Sequence, residues 1–367
     1  MNLRSLANQH ILNQPTYIPG KPTEAVAAEF NIPADEIIKL ASNENPWGAS
    51  PNAIREGKSI LQNIHLYPDG SGSELTKTIS SKFNLSTEQI ILGNGSNEII
   101  ELLAHVFLSE GDEVIFGEHA FAVYKLVTLL MGASPVAITM PHLKHDLGAM
   151  LEAVTSKTKI IFLPSPNNPT GTANTNEEIH WLVENLPDHV ILCFDEAYTE
   201  YLNKPPTTLS FIKSNPKIVC LRTFSKIYGL AGLRIGYGYG SKEMISLLQK
   251  VRQPFNVNAV AQATAIAALK DEDWVNQCRV RNTSGLKQLE EGLTKIGLEY
   301  IKSSANFILI QVGDGLEVFN KLQKRGIITR PMPKELGQYL RISVGTEHEN
   351  EKVIFALNEI FKGNIYI

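Results

Sequence analysis

The sequence predicts an α/β protein, a largely parallel sheet covered by helices on both faces and followed by a smaller α+β unit. Three observations carry this prediction. Short β-branched runs alternate with amphipathic stretches from about Gln89 onward, the alternation changes character after about Val257, and the polar motifs fall where strands end. The runs occupy 89–92, 113–116, 135–139, 159–163, 189–194 and 217–221. Between them Ile99, Ile100, Leu102, Leu103, Val106 and Phe107 recur at helical spacing, as do Tyr124, Leu126, Val127 and Leu130. Thr175 with Glu178 forms a capping box that opens the helix carrying Ile179, Leu182 and Val183. Strands alternating with helices imply right-handed crossovers and parallel pairing. Beyond Val257 a long helical region at 259–295 precedes strands at 307–312, 326–329 and 339–344, with helices at 316–325 and 349–361.

Composition bounds the function. At 367 residues the chain holds two or three domains of roughly 150 residues. Its 43% hydrophobic and 20% charged residues are ordinary for a folded, soluble protein. The 34 basic and 38 acidic residues sum to −4 and form no long run of either sign, which argues against nucleic-acid and anionic-membrane partners. Cys193, Cys220 and Cys278 lie far apart and read as buried, reduced thiols. The first ten residues lack the apolar core of a signal peptide, and no stretch approaches the ~18 apolar residues of a membrane span. A cytoplasmic enzyme or binding module is expected. The first 45 residues, with Pro15, Pro19, Pro22 and Pro33, read as an arm lying on something else.

In such sheets functional groups gather where strands end and helices begin. Those places hold Gly93-Asn94-Gly95-Ser96-Asn97, Ser165-Pro166-Asn167-Asn168-Pro169-Thr170-Gly171, Phe194-Asp195-Glu196-Ala197-Tyr198 and Thr223-Phe224-Ser225-Lys226. Arg234 follows eight residues after Lys226. The first motif precedes a helix and suits a phosphate, unless it is an ordinary loop with Ser96 as helix cap. Lys226 stands among hydroxyls at the carboxyl edge of the sheet, where desolvation would free its amine for carbonyl attack. Asp195 ends the most apolar strand and needs a cationic partner. It could also cap a helix; a magnesium site of a nucleotide triphosphatase is excluded because no G-x-x-x-x-G-K-[ST] exists. Gly236-Tyr-Gly238-Tyr-Gly240-Ser241 fails as a dinucleotide motif, lacking a third glycine at the right offset and the downstream acid at a strand end. His142 and His145 have metal-like spacing but read as a solvated loop beside Lys144, so no metal is expected.

An amine for a Schiff base, a carboxylate for a pyridinium N–H and a phosphate cup with an arginine are together what pyridoxal 5'-phosphate requires. The set continues with Ala41-Ser-Asn43-Glu44-Asn45-Pro46, Tyr67-Pro68-Asp69-Gly70 and Leu340-Arg341-Ile-Ser-Val-Gly345. In this order the motifs resemble fold-type I (aspartate aminotransferase-like) enzymes over nearly the whole chain, and most resemble the histidinol-phosphate aminotransferase branch.

The resemblance implies a mainly parallel seven-stranded sheet in a large domain at 46–270. It implies a small α+β domain formed by 271–367 with the arm 1–45. It implies that Lys226 forms the Schiff base and shuttles a proton, that Asp195 pairs with the ring nitrogen, and that Asn168 and Tyr198 bond the phenolic oxygen. Phe121 would stack on the ring, while Ser96, Asn97, Thr223, Ser225 and Arg234 would hold the phosphate. Tyr67 would reach the cofactor phosphate of a neighbouring subunit, which implies a homodimer with shared sites. Arg330 and Arg341, with Tyr17, Asn43 and Asn306, would bind substrate. Two guanidiniums suit a doubly charged anion; alternatively Arg341 binds a carboxylate and Arg330 forms a surface pair. The implied reaction interconverts L-histidinol phosphate plus 2-oxoglutarate with imidazole-acetol phosphate plus L-glutamate. An aromatic amino-acid aminotransferase and a threonine-phosphate decarboxylase are the implied alternatives.

Overall fold

The computed structural model describes residues 2–12, 14–16, 20–206 and 208–362. Its main sheet comprises β1 Ile90–Gly93, β2 Glu113–Gly117, β3 Ser134–Ile138, β4 Thr158–Pro164, β5 Ile191–Asp195, β6 Ile218–Thr223 and β7 Gly236–Gly240. The spatial order is β1-β7-β6-β5-β4-β2-β3. β7 runs antiparallel to both of its neighbours, and the remaining pairs are parallel. Along the central strands, side chains alternate between two apolar clusters. Leu163, Leu192, Phe194 and Cys220 join one, while Phe162, Cys193, Val219 and Leu221 join the other. A sheet buried on both faces therefore shows apolar runs in sequence rather than alternation.

The six predicted strands appear within two residues of their expected ends. The seventh is the glycine-alternating segment 236–240. Its tyrosines, Tyr237 and Tyr239, are fully buried on one face. Its glycines leave the other face bare, and the helix Ser96–Phe107 closes down on it. A Cβ at Gly236 would lie 2.5 Å from the Ser96 nitrogen and 2.9 Å from the Arg222 carbonyl oxygen. The glycines are there for close packing, and no nucleotide is needed to explain them.

Because β4, β5 and β6 are parallel, Pro164, Asp195 and Leu221 lie side by side at one edge. Thr223, Gly236 and Gly93 continue the same edge through the antiparallel strand. This row carries the site.

The predicted helix over 259–295 is two helices, Ala259–Lys270 and Glu272–Lys295. Asp271 breaks it with ψ of 69°, and its carboxylate caps the second helix through the Trp274 N–H. An antiparallel sheet follows, built from β8 Tyr300–Ile301, β9 Phe307–Gln311, β10 Arg330–Pro331 and β11 Tyr339–Ser343. Its order is β10-β11-β9-β8. The strand expected at 326–329 divides. Ile327–Ile328 pairs instead with Ile38–Lys39, in parallel. Ile38 and Leu40 thereby enter the same apolar cluster as Leu293, Ile308, Ile342 and Leu357.

The capping box at Thr175 and Glu178 forms as expected. All three cysteines are buried and free. Among the described residues no helix is long and apolar enough to cross a membrane, and no cluster of His, Cys, Asp and Glu could hold a metal. His145 departs from its expected solvated loop: it is buried, and burial holds its imidazole down at about 4, in the neutral form.

Gly236→Ala should drive a methyl into backbone atoms that cannot retreat, costing about 1–3 kcal/mol. A thermal melt should show a midpoint several degrees lower. Gly232→Ala, where nothing lies within 4 Å of the added carbon, should leave it unchanged.

Candidate active site

A cavity of about 240 Å³ opens on the carboxyl edge of the main sheet. Ser96, Asn97, Asn168, Asp195, Tyr198, Thr223, Ser225, Lys226 and Arg234 all line it, as the sequence motifs anticipate, and so does Phe121, which the family resemblance implies. They arrive from several different strand ends and helix starts, so only the folded sheet brings them together. Ser42, Glu44 and Tyr124 also line it; the first two lie in the 41–46 motif and Tyr124 in a helical repeat, and the sequence assigns none of them a site role.

At one end lies the start of the helix Ser96–Phe107, whose cap is Gly95 rather than Ser96. Gly95 has φ of +75°, and a Cβ there would come within 2.5 Å of an Arg234 guanidinium nitrogen. The arginine thus packs against bare backbone. It is steadied by the Ala231 carbonyl at 3.0 Å and the Ser225 hydroxyl at 3.4 Å. Thr223 accepts the Ser225 N–H at 3.0 Å, which fixes the turn into Lys226. A helix start, a guanidinium and two hydroxyls form an anion cradle that a side chain at position 95 would fill.

At the other end is Asp195. Tyr124 donates its hydroxyl to this carboxylate at 2.7 Å, and the Ala197 N–H donates at 3.0 Å. The Ala197 bond is local, and no regular helix begins there, so the helix-cap reading of Asp195 does not account for it. Burial pushes the Asp195 carboxyl up, and the hydrogen bonds and Lys226 oppose that shift. A cationic ring N–H placed against it would favour the ionised form. Tyr124, which the helical spacing placed in the core, is buried with its hydroxyl aimed at the site.

Lys226 donates from Nζ to the Ser42 carbonyl oxygen at 3.1 Å and lies 5.6 Å from the Tyr198 ring centroid. Burial lowers its pKa to about 8, with Arg341 and Arg234 adding to the effect and Glu44 and Asp195 opposing it. Tyr198 accepts the Asn43 amide at 3.0 Å, and burial raises its hydroxyl to about 12. Its proton therefore stays in place to be donated.

The expected substrate residues form a second tier outside the lining. Arg341, buried on β11, donates to the Asn168 side-chain oxygen and, at 2.6 Å, to the Ala41 carbonyl. Its guanidinium also lies 5.3 Å from the Phe307 ring centroid. Asn306 donates to the Asn43 carbonyl at 2.9 Å. Ser343 holds Asn43 from both sides, accepting its N–H at 2.9 Å and donating to its side-chain oxygen at 3.0 Å. Arg330 is half-buried and directly opposite Arg341 in the β10–β11 register. Tyr67 stands apart, 83% exposed and stacked 4.9 Å from Phe255. Tyr17 lies outside the described residues.

These shifts give a direct check. In cofactor-free protein, labelling of Lys226 by an amine-selective reagent, read by mass spectrometry, should rise with a midpoint near pH 8. Arg341→Gln removes a neighbouring positive charge, so the midpoint should move up. A midpoint in the ordinary lysine range near pH 10 would contradict the desolvated environment.

The profile of the family "Aminotransferase class I and II" matches residues 35–357. A histidinol-phosphate aminotransferase 2 of Nitrosospira multiformis is 42% identical over 363 residues, covering 97% of this chain and 92% of the relative. A histidinol-phosphate aminotransferase of Methylobacillus flagellatus is 44% identical over 349 residues, covering 94% and 95%. Among solved structures, histidinol-phosphate aminotransferase from Sinorhizobium meliloti in complex with pyridoxal-5'-phosphate superposes with a TM-score of 0.90 at 23% identity, covering 98% of each chain. An aspartate aminotransferase from Thermus thermophilus gives 0.82 at 22% identity, covering 96% of this chain and 99% of the other. The fold is that of fold-type I enzymes, and the chain belongs to the class I and II aminotransferase family.

Proposed function

We propose that this aminotransferase uses pyridoxal 5'-phosphate to transfer an amino group between L-histidinol phosphate and 2-oxoglutarate, in histidine biosynthesis. The observation that carries the substrate reading is the register of β10 and β11, which sets Arg330 directly opposite Arg341. Like charges directly opposite on a sheet repel, and a doubly charged phosphate shared between them offsets that repulsion. The names borne by the relatives at 41–44% identity point the same way.

The cofactor fits the residues present. The cradle at Gly95 and Arg234 suits its phosphate, and the buried Asp195 suits its ring nitrogen. When bound, pyridoxal phosphate supplies the carbonyl that captures the substrate amine and the electron sink for the charge left at Cα. Asp195, oriented by Tyr124, keeps the proton on the ring nitrogen. Tyr198 and Asn168 donate to the phenolic oxygen. Their acceptor sides are already taken by Asn43 and Arg341, which leaves donors facing the cavity. Phe121 covers the ring. Ser96, Asn97, Thr223, Ser225 and Arg234 hold the phosphate. The Lys226 amine, neutral in part near pH 8, moves the proton between substrate Cα and the cofactor's C4′. Arg341 and Arg330 grip the substrate phosphate, with Asn43, Asn306 and Tyr17 completing the pocket. The second substrate collects the amino group in a ping-pong cycle.

The active unit in this reading is a homodimer. Ile54, Leu61, Ile64, Leu66, Tyr67 and Phe255 are large, apolar and exposed, and a second copy would cover them. Tyr67 would then reach the other subunit's cofactor phosphate. The proposed division sets a large unit at 46–270 against a small one at 271–367 with the arm 1–45. The pairing of Ile38–Lys39 with Ile327–Ile328 supports assigning the arm to the small unit. Three free, buried thiols fit a reducing, cytoplasmic setting.

Half-reactions followed by the cofactor spectrum test the substrate. Arg330→Ala should lower kcat/KM for histidinol phosphate at least tenfold, the worth of a charge-assisted contact, and leave phenylalanine nearly unaffected. Equal losses would remove the phosphate-binding role and favour an aromatic aminotransferase. Turnover of threonine phosphate with loss of carbon dioxide would favour the decarboxylase. Shared sites predict complementation. Lys226→Ala and Tyr67→Ala proteins, each nearly inactive, should regain about a quarter of wild-type activity when unfolded and refolded together in equal amounts. Half the dimers are then hybrids, each with one intact site. No gain over the separate proteins would rule out sharing.

A further inference from the structure

The loop Gly93–Asn97 carries chemistry only if its backbone is held in one shape, and Glu98 is the group that holds it. The Glu98 carboxylate accepts the Asn94 backbone N–H. The same oxygen accepts the Asn256 side-chain amide at 2.7 Å, and that amide also reaches the Leu92 carbonyl at 3.1 Å. Arg252 donates to the Asn256 side-chain oxygen at 2.6 Å and to the Gln249 side chain at 2.7 Å. Asn256 thus bonds both flanks of the loop, the strand end at Leu92 and the helix start at Glu98. Phe255, directly before it, has φ of +57°, a left-handed conformation rare for a bulky residue. This turn directs Asn256 to Glu98, while Phe255 stacks on Tyr67.

The charge of Glu98 demands an explanation. A carboxylate two residues from Ser96 opposes a phosphate bound at that helix start. Its place in the first helical turn suits the helix dipole only weakly. The two accepted bonds give the compensating role, since they hold the Asn94 N–H and fix the path into Gly95, where bare backbone meets Arg234.

We propose that Glu98 and Asn256 are positioning residues that set the phosphate-binding loop, and so select for a phosphorylated cofactor. The inference rests on the reading that this loop takes the cofactor's phosphate. It touches neither cofactor nor substrate directly; it acts through Asn94, Leu92 and the helix start.

The test is the binding preference for pyridoxal phosphate over pyridoxal, measured by cofactor fluorescence on protein resolved from its cofactor, alongside thermal melts. Glu98→Ala and Asn256→Ala should each weaken pyridoxal phosphate about tenfold or more while leaving pyridoxal within about twofold, as loss of charge-assisted hydrogen bonds requires. Glu98→Gln keeps an oxygen that accepts both bonds, so it should retain the preference. The double variant should lose little more than either single one. A lower melting midpoint with the preference intact in both alanine variants would make Glu98 a helix cap alone and overturn the proposal. Equal weakening of both ligands would overturn it too. If Glu98→Ala does not fold, Asn256→Ala decides by the same readout. If wild-type protein shows no preference, the loop does not bind the phosphate at all, and the underlying reading falls with the proposal.

Discussion

The placement of Arg341 governs the architecture around the site. A buried guanidinium has five donors and no acceptor, and leaving them unmet is costly. Two of its hydrogen bonds reach Asn168 in the loop after β4 and the Ala41 carbonyl near the end of the arm. Three remote stretches of chain, near 41, 168 and 341, are thereby fixed to one point. The consequences spread from there. The next carbonyl, Ser42, receives Lys226, and Asn43 reaches Tyr198. Arg341 also lowers the Lys226 pKa, so one group both assembles the cavity and tunes its amine.

In the proposed function, opposite demands fall on opposite ends of the cavity. Anion binding needs exposed donors and a positive field, and the helix start with Arg234 supplies them. Holding a cationic ring needs a desolvated carboxylate, and Asp195 sits at the end of a fully apolar strand. On the reverse face, Arg222 pairs with Glu196 at 3.0 Å and Glu200 at 3.5 Å. Their positions beside Thr223 and Asp195 brace the ends of β5 and β6 from behind. A buried ion pair of this kind contributes little net stability, because desolvation offsets its Coulomb gain. The Arg252–Asn256–Glu98 chain has the corresponding place behind the phosphate loop.

Much of the site was legible in the sequence because each contributing motif is local. A strand that ends in Asp195, or a helix that starts at Ser96, announces its own position through apolar runs and small polar residues. Nine lining residues are legible this way, and Phe121 only through the family resemblance. Tyr124 was not, because its spacing matches a core helix and only its hydroxyl betrays a role. Ser42 contributes a backbone carbonyl, for which no sequence signal exists. The strand 236–240 was obscured by its glycines, which lower strand propensity yet are required by the approach of Ser96. The break at Asp271 was missed because both flanking segments have helical spacing, while the cap depends on a single side chain.

The sequence by itself determined the α/β class, the local elements and the chemical inventory: an amine, a carboxylate, a guanidinium and a helix start. These follow from periodicity, capping and side-chain chemistry, which act over a few residues. Only the tertiary structure decided the order of strands, the pairing of Ile38–Lys39 with Ile327–Ile328 and the register that opposes Arg330 to Arg341. It alone decided that Lys226 is desolvated beside Arg341, since burial and Coulomb fields depend on neighbours such as Arg341 and Glu44, more than a hundred residues away in the chain. Local forces chose the groups, and long-range packing chose the distances between them.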